Sequence, residues 1–385
     1  MSTFEQIVRI VRAAHRAPEG FVPLHAPVFG GNEGAYVQET IDSTFVSSVG
    51  AFVDRFEAML REITSAACAV ATVNGTAALH AALRLAGVEQ GELVLTQTLS
   101  FAATCNAVAY CGASPAFVDV DADTLGLSPD ALRDFLETNC ESANGQVREK
   151  ASGRRVAACV PMHTFGHPCR IEAIADICAA WGIPLVEDAA ESLGSASGGR
   201  HTGIFGLLGT LSFNGNKIVT CGGGGAILTN DETLGRRAKH ITTTAKVPHR
   251  WLYRHDELGF NYRLPNLNAA LGCAQLERLP RFLADKRALA AEYATAFKGL
   301  PLAFVDAREG TTPNFWLNAL LLESRDQRDA FLEFSNDAGV MTRPVWEPLH
   351  TLPMYAQAPR GPLDISLDIA DRLVNIPSSF RNITP

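Results

Sequence analysis

The chain has 385 residues, with 33 Lys and Arg against 41 Asp and Glu, a formal net charge of −8. That balance, with no long basic run, excludes a nucleic-acid-binding surface, and 47% hydrophobic against 19% charged residues excludes a disordered chain. At roughly 150 residues per domain the length fits two or three domains, and no stretch reaches the roughly 18–20 apolar residues of a membrane helix. The opening MSTFEQIVRIVRAAHR lacks a signal-peptide apolar core. Nine cysteines are scattered without a CxxC pair, which reads as small buried hydrophobes in a reducing compartment. A cytoplasmic protein without membrane or nucleic-acid partners is expected.

In chain order, the apolar run Cys68–Val73 is broken at Asn74-Gly75, and Thr76–Ala86 then reads as a helix with Leu79, Leu83 and Ala86 on one face. Residues 92–96 read as a strand, 101–110 as a helix and 116–120 as a strand. Ser128 is placed to cap a helix opened by Pro129. The alternation repeats: strand 156–161, helix 171–181 ended by Gly182, strands 184–187, 208–213 and 226–229, then a helix over 232–240. This is the pattern of a mostly parallel sheet with crossover helices. Beyond residue 265 the texture changes, with helices over 266–279 and about 281–297, a strand over 315–322, a helix over 325–338 and a Pro-rich stretch from 344 to 362. A large α/β domain over 1–265 and a smaller α+β domain over 266–385 follow from this. Residues 141–155 read as a polar surface loop.

Three features carry chemistry. A helix that opens at Gly75-Thr76 after a strand offers unpaired N–H groups and a positive dipole end to a phosphate, and it is neither a Walker loop nor GxGxxG. Asp188, in VEDAAE at the end of an apolar strand, is either a helix cap or structural acid, or the partner of a protonated ring nitrogen. Of six lysines, Lys217 stands alone in a small-residue loop before four glycines, Gly222 to Gly225, where a desolvated amine becomes a nucleophile. Lys150 sits in the polar segment, and Lys239, Lys286 and Lys298 read as lying on solvated helix faces. His163 and His167 stand four apart in HTFGH, but Gly166 and Pro168 argue for a loop over a helical metal pair and no third ligand follows, so no metal site is expected. His249 and His255 flank a surface or interface loop. A phosphate cradle, a ring-directed acid and a lone lysine together describe a pyridoxal phosphate site.

VNGTAALHAAL, VEDAAES, SFNGNKIVTCGGGGAILT and HDELGFNYRLPNLNAALGCAQLE resemble the DegT/StrS family of sugar-nucleotide aminotransferases, and the resemblance runs from about Pro23 to the C-terminus. It implies fold type I of the pyridoxal phosphate enzymes, the aspartate aminotransferase-like architecture: a large, mixed, mostly parallel sheet domain and a smaller C-terminal α+β domain. PVFGGNE, VSSVGAFVDRFE, VPMHTFGHP and TTTAKVPH look most like the branch that makes 4-amino-4,6-dideoxy-N-acetylhexosamine nucleotides for bacillosamine and legionaminic acid. By the same resemblance Lys217 carries pyridoxal 5′-phosphate covalently and shuttles the proton, and Asp188 pairs with the ring nitrogen. Gly75, Thr76 and Ser212 bind the phosphate, and Phe101 stacks on the ring. Glu191 stands where many members have His or Gln, at the phenolic oxygen. Asn261 reaches the phosphate in a neighbouring subunit, which implies a homodimer with shared sites.

The expected activity is transfer of an amino group from glutamate to C4 of a nucleotide-linked 4-keto-6-deoxy-N-acetylhexosamine. The alternatives are a pyridoxal phosphate-dependent sugar dehydratase, against which Lys217 counts because those members have histidine there, and a catalytically silent regulatory protein, which would be expected to lose Lys217 or Asp188. Lys246 is a candidate for substrate phosphates.

Overall fold

Short, small-residue and β-branched runs form the centre of the computed structural model, which describes residues 2–143 and 145–381. Strands Cys68–Thr72, Gly225–Thr229, Leu208–Ser212 and Val186–Asp188 are hydrogen-bonded in that order. Bridges Cys159↔Leu185 and Met162↔Asp188 carry the sheet on to Val156–Val160, Leu93–Gln97 and Ser114–Val118. Gly225–Thr229 runs antiparallel to both its neighbours, and the remaining pairings are parallel. All five residues of Leu93–Gln97 are buried, as in a sheet covered by helices on both faces.

The helices follow from local chemistry. Ser128 accepts from the Ala131 N–H with Pro129 in the first turn, and Gly182 ends Ile171–Trp181 in the left-handed region at φ 66°. Asn74 caps Gly75–Leu85 by accepting from the Ala77 N–H at 2.7 Å. A Cβ on Gly75 would stand 2.8 Å from that of Ser212, so glycine lets this helix start abut the end of Leu208–Ser212.

A second, antiparallel sheet takes the order Ala303–Phe304, Asn318–Leu321, Leu373–Ile376, Arg343–Pro344. Packing crosses the chain position 265 in several places. Ile7 and Val11 of the Thr3–Ala14 helix share a cluster with Leu289, Tyr293, Leu320 and Phe331. Helix Asn266–Glu277 places Ala269, Ala270 and Cys273 in one cluster with Phe52 and Phe56 of Ala51–Thr64.

Several sequence expectations need revision. Residues 141–155 are not a plain loop: Cys140–Ala143 and Gln146–Glu149 pair as a hairpin (residue 144 lies outside the described residues), and buried Glu149 accepts from the Ser152 N–H at 2.8 Å. The strand expected over 315–322 is only Asn318–Leu321, because Phe315 adopts φ 49°. Helices Thr3–Ala14, Glu33–Asp42, Ala51–Thr64 and Asp364–Arg372 were not read at all. Lys286 is not solvated: it is 1% exposed, and its ammonium donates to the carbonyls of Phe315, Trp316 and Ser378. It shares the buried stripe of its helix with Phe282, Leu289 and Tyr293, and what lets a lysine stay there is the three carbonyls that the fold brings to its ammonium.

Candidate active site

The strands of the large sheet end toward one edge, where the chain turns into loops and helix starts. In open sheets with parallel strands that edge collects ligand sites. There a cavity of about 320 Å³ is lined by Gly75, Thr76, Phe101, Asp188, Glu191, Ser212 and Lys217, together with Asn74, Met162, Trp316 and Trp346. Seven residues singled out in the sequence therefore meet at one place. Asn261 does not line it: it is exposed, and its Oδ1 accepts from the Arg263 guanidinium at 3.3 Å.

Asp188 forms the buried floor, 5% exposed. Its Oδ2 accepts from the Thr104 hydroxyl at 2.8 Å and its Oδ1 from the Ala190 N–H at 3.2 Å. Burial raises its pKa, while those two hydrogen bonds and the Lys217 charge oppose the shift. A carboxylate kept in such a place is costly unless it meets a cation.

Glu191 is also buried. Its Oε1 accepts from Lys217 Nζ at 3.0 Å and its Oε2 from the Phe165 N–H at 2.9 Å. Burial raises its pKa and the adjacent Lys217 opposes. Lys217 Nζ lies 4.0 Å from the centre of the Trp316 ring, whose Nε1–H donates to the Asn216 carbonyl at 2.6 Å. Phe101 is half-exposed at the mouth, its ring 6.3 Å from that of Trp346.

Supporting bonds hold these groups from behind. Gln97, at the end of its strand, accepts from the N–H of Met162 and of Leu127 and donates to the Leu99 carbonyl, tying the loops around it together. Glu187, wholly buried, accepts from His163 Nε2 and from the N–H groups of Gly203, Phe205 and Gly206. Burial alone would lower the His163 pKa, but Cys169 and Glu187 outweigh it and push it up to about 10. His163 is thus engaged behind the site between Glu187 and Cys169, whose N–H donates to its Nδ1 at 3.3 Å, and His167 is buried on the Phe315 ring. Among the described residues, the one group with metal-ligand proximity is the partly exposed His240, Asp256 and Glu257, away from this cavity.

Thr104, Met162, Trp316 and Trp346 were missed by the sequence reading. The two tryptophans had a weak signal, since the chain holds only four. Thr104 had none, being one polar residue in a small-residue helix.

The donor set fits pyridoxal phosphate. A buried acid that forms no ion pair among the described residues suits a protonated ring nitrogen. The glycine-started helix beside Ser212 leaves room for a phosphate, and one amine opens onto the cavity between them.

The profile of the DegT/DnrJ/EryC1/StrS aminotransferase family matches residues 28–382. The chain belongs to that family. Like its relatives it is a pyridoxal phosphate-dependent sugar aminotransferase, acting on nucleotide sugars with an amino donor. It is 33% identical over 360 residues to the GDP-perosamine synthase of Vibrio cholerae, covering 93% of this chain and 94% of that one. It is 36% identical to the putative pyridoxal phosphate-dependent aminotransferase EpsN of Bacillus subtilis, covering 87% and 84%. Among solved structures it superposes on the aminotransferase TlmJ from Streptoalloteichus hindustanus with TM-score 0.83 at 28% identity, covering 92% and 93%. The family assignment agrees with the fold type I architecture read from the sequence. No helix among the described residues is long and apolar enough to cross a membrane.

Proposed function

We propose that this aminotransferase moves an amino group from glutamate to C4 of a nucleotide-linked 4-keto-6-deoxy-N-acetylhexosamine, giving a 4-amino-4,6-dideoxy sugar nucleotide for surface glycans. The observation that carries the site reading is Lys217 Nζ, 3.0 Å from buried Glu191 and open to the cavity floored by Asp188. When bound, pyridoxal phosphate supplies an electron sink that lets an amino group leave one substrate and enter another. Lys217 is the residue that would carry the cofactor, and its freed Nζ would move a proton from the donor carbon to the cofactor in one half-reaction and from the cofactor to the sugar carbon in the other. Asp188 holds the positive charge of the ring nitrogen, and Thr104 orients that carboxylate. Glu191 shares a proton with the phenolic oxygen, which its burial favours. Gly75, Thr76 and Ser212 hold the phosphate, and Phe101 covers the ring face.

Asn261, exposed and outside the cavity of its own chain, reaches the phosphate of a neighbouring subunit in this reading, which makes the working unit a homodimer in the cytoplasm. The division into a large domain over 1–265 and a small one over 266–385 belongs to the same proposal.

The likeness to GDP-perosamine synthase supports a second reading, in which the nucleotide is GDP and the product perosamine. Incubation with glutamate and either UDP- or GDP-linked 4-keto-6-deoxy sugars, with products identified by mass and NMR, separates the two. Amination of neither at C4 sinks both.

A further inference from the structure

Lys286 is the one fully buried lysine among the described residues, on helix Leu279–Ala296 and outside the cavity. Its ammonium donates to the carbonyls of Ser378 at 2.6 Å, Trp316 at 3.0 Å and Phe315 at 3.4 Å, which uses all three of its protons. Burial lowers its pKa to about 7, with Asp285 opposing. Burying that amine is costly, so the three carbonyls it gathers need a reason.

Two of them belong to a strained turn. Phe315 sits at φ 49°, a region a bulky residue occupies only when its surroundings over-determine it. On the other side of the turn, buried Asn314 donates to the carbonyls of Glu191 and Leu193 at 2.8 and 2.9 Å and accepts from the Trp316 N–H at 2.8 Å. The Trp316 backbone is thus held by Asn314 through its N–H and by Lys286 through its carbonyl. Its indole is fixed by Asn216, the neighbour of Lys217, with the ring face toward Lys217 Nζ.

We infer that Lys286 is a positioning residue for the reactive centre, clamping the Phe315–Trp316 turn so that the Trp316 ring stays against Lys217. The assignment rests on the reading of Lys217 as the cofactor-bearing lysine. An indole face favours positive charge on the nitrogen it covers. Releasing the turn withdraws that preference from the lysine-bound cofactor.

The test is a pH titration of the visible band of the loaded, full-length protein in a double-mutant cycle of Lys286→Met and Trp316→Leu. Each single variant is expected to move the midpoint down by roughly half to one pH unit. The double variant should move it no further than Trp316→Leu alone, since Lys286 acts through the ring. An unmoved midpoint in Lys286→Met, or additive shifts in the double variant, overturns the inference, because a merely structural lysine would lower stability without touching the band. Should Lys286→Met not fold, Lys286→Gln keeps part of the donor set and must shift the band in the same direction. Borohydride fixation followed by peptide mass spectrometry separates the two layers. Cofactor fixed to a lysine other than Lys217 sinks the site reading, while fixation at Lys217 with an unmoved band sinks the clamp alone.

Discussion

Two lysines, the partly buried Lys217 at the edge of the large sheet and the fully buried Lys286 on helix Leu279–Ala296, show how surroundings decide what an amine does. Lys286 has every proton committed to a backbone carbonyl and only a cavity of about 10 Å³ beside it. Lys217 has one carboxylate partner, one aromatic face and an open cavity. The first is therefore a fastening and the second is free to react. In the proposed mechanism the most thoroughly desolvated amine is not the nucleophile, because access matters as much as burial.

The sharpest way to break the contrast is at Lys217. Lys217→Ala is expected to lower turnover by a factor on the order of 10⁴ or more while the protein still folds and takes up cofactor without a lysine-bound band. Lys286→Met should do the converse, with stability reduced by about 3 kcal/mol, as three buried carbonyls lose their donor, and turnover falling far less. Urea unfolding with parallel rate measurements would show whether the two effects separate in this way.

Thr104→Val tests the floor of the cavity. Losing one hydrogen bond to Asp188 should cost about 1–2 kcal/mol, so cofactor affinity should fall about tenfold, measured by titrating the stripped protein.

The smallest effect is a pH slope. His163, raised from 6.5 to about 10, binds more protons folded than unfolded, so its stabilisation is full below 6.5 and is lost as pH rises toward 10. Lys286, lowered from 10.5 to about 7, binds fewer protons when folded, so stability rises with pH between 7 and 10.5. Between about pH 7 and 10 the two slopes oppose each other. In Lys286→Met the fall should stand alone, and in His163→Asn the rise, visible as opposite trends of the urea midpoint across that window.

Much of the sheet was legible because its strands are short apolar runs stopped by glycine, proline or a cap, and each such signal is local. The Asn74-Gly75 break, the Ser128-Pro129 helix start and the Gly182 stop all appear where the sequence placed them. The alternating charge of MSTFEQIVRIVRAAHR, which speaks against a signal peptide, is also the amphipathic pattern of helix Thr3–Ala14. The residue 315–322 strand was overextended since nothing in its apolar pattern announces a left-handed turn at Phe315.

What the sequence by itself determined was the order of a phosphate-sized helix start, an acid at a strand end and a lysine in a small-residue loop, together with the family that this order resembles. Those are properties of neighbouring residues, and hydrophobic period and turn chemistry record them. Only the tertiary structure decided that Trp316, Thr104 and Trp346 join them, that Glu191 pairs with Lys217, and that Lys286 is buried. Those contacts join residues tens to hundreds of positions apart, and no local pattern carries the distance between side chains that meet only after the chain has folded.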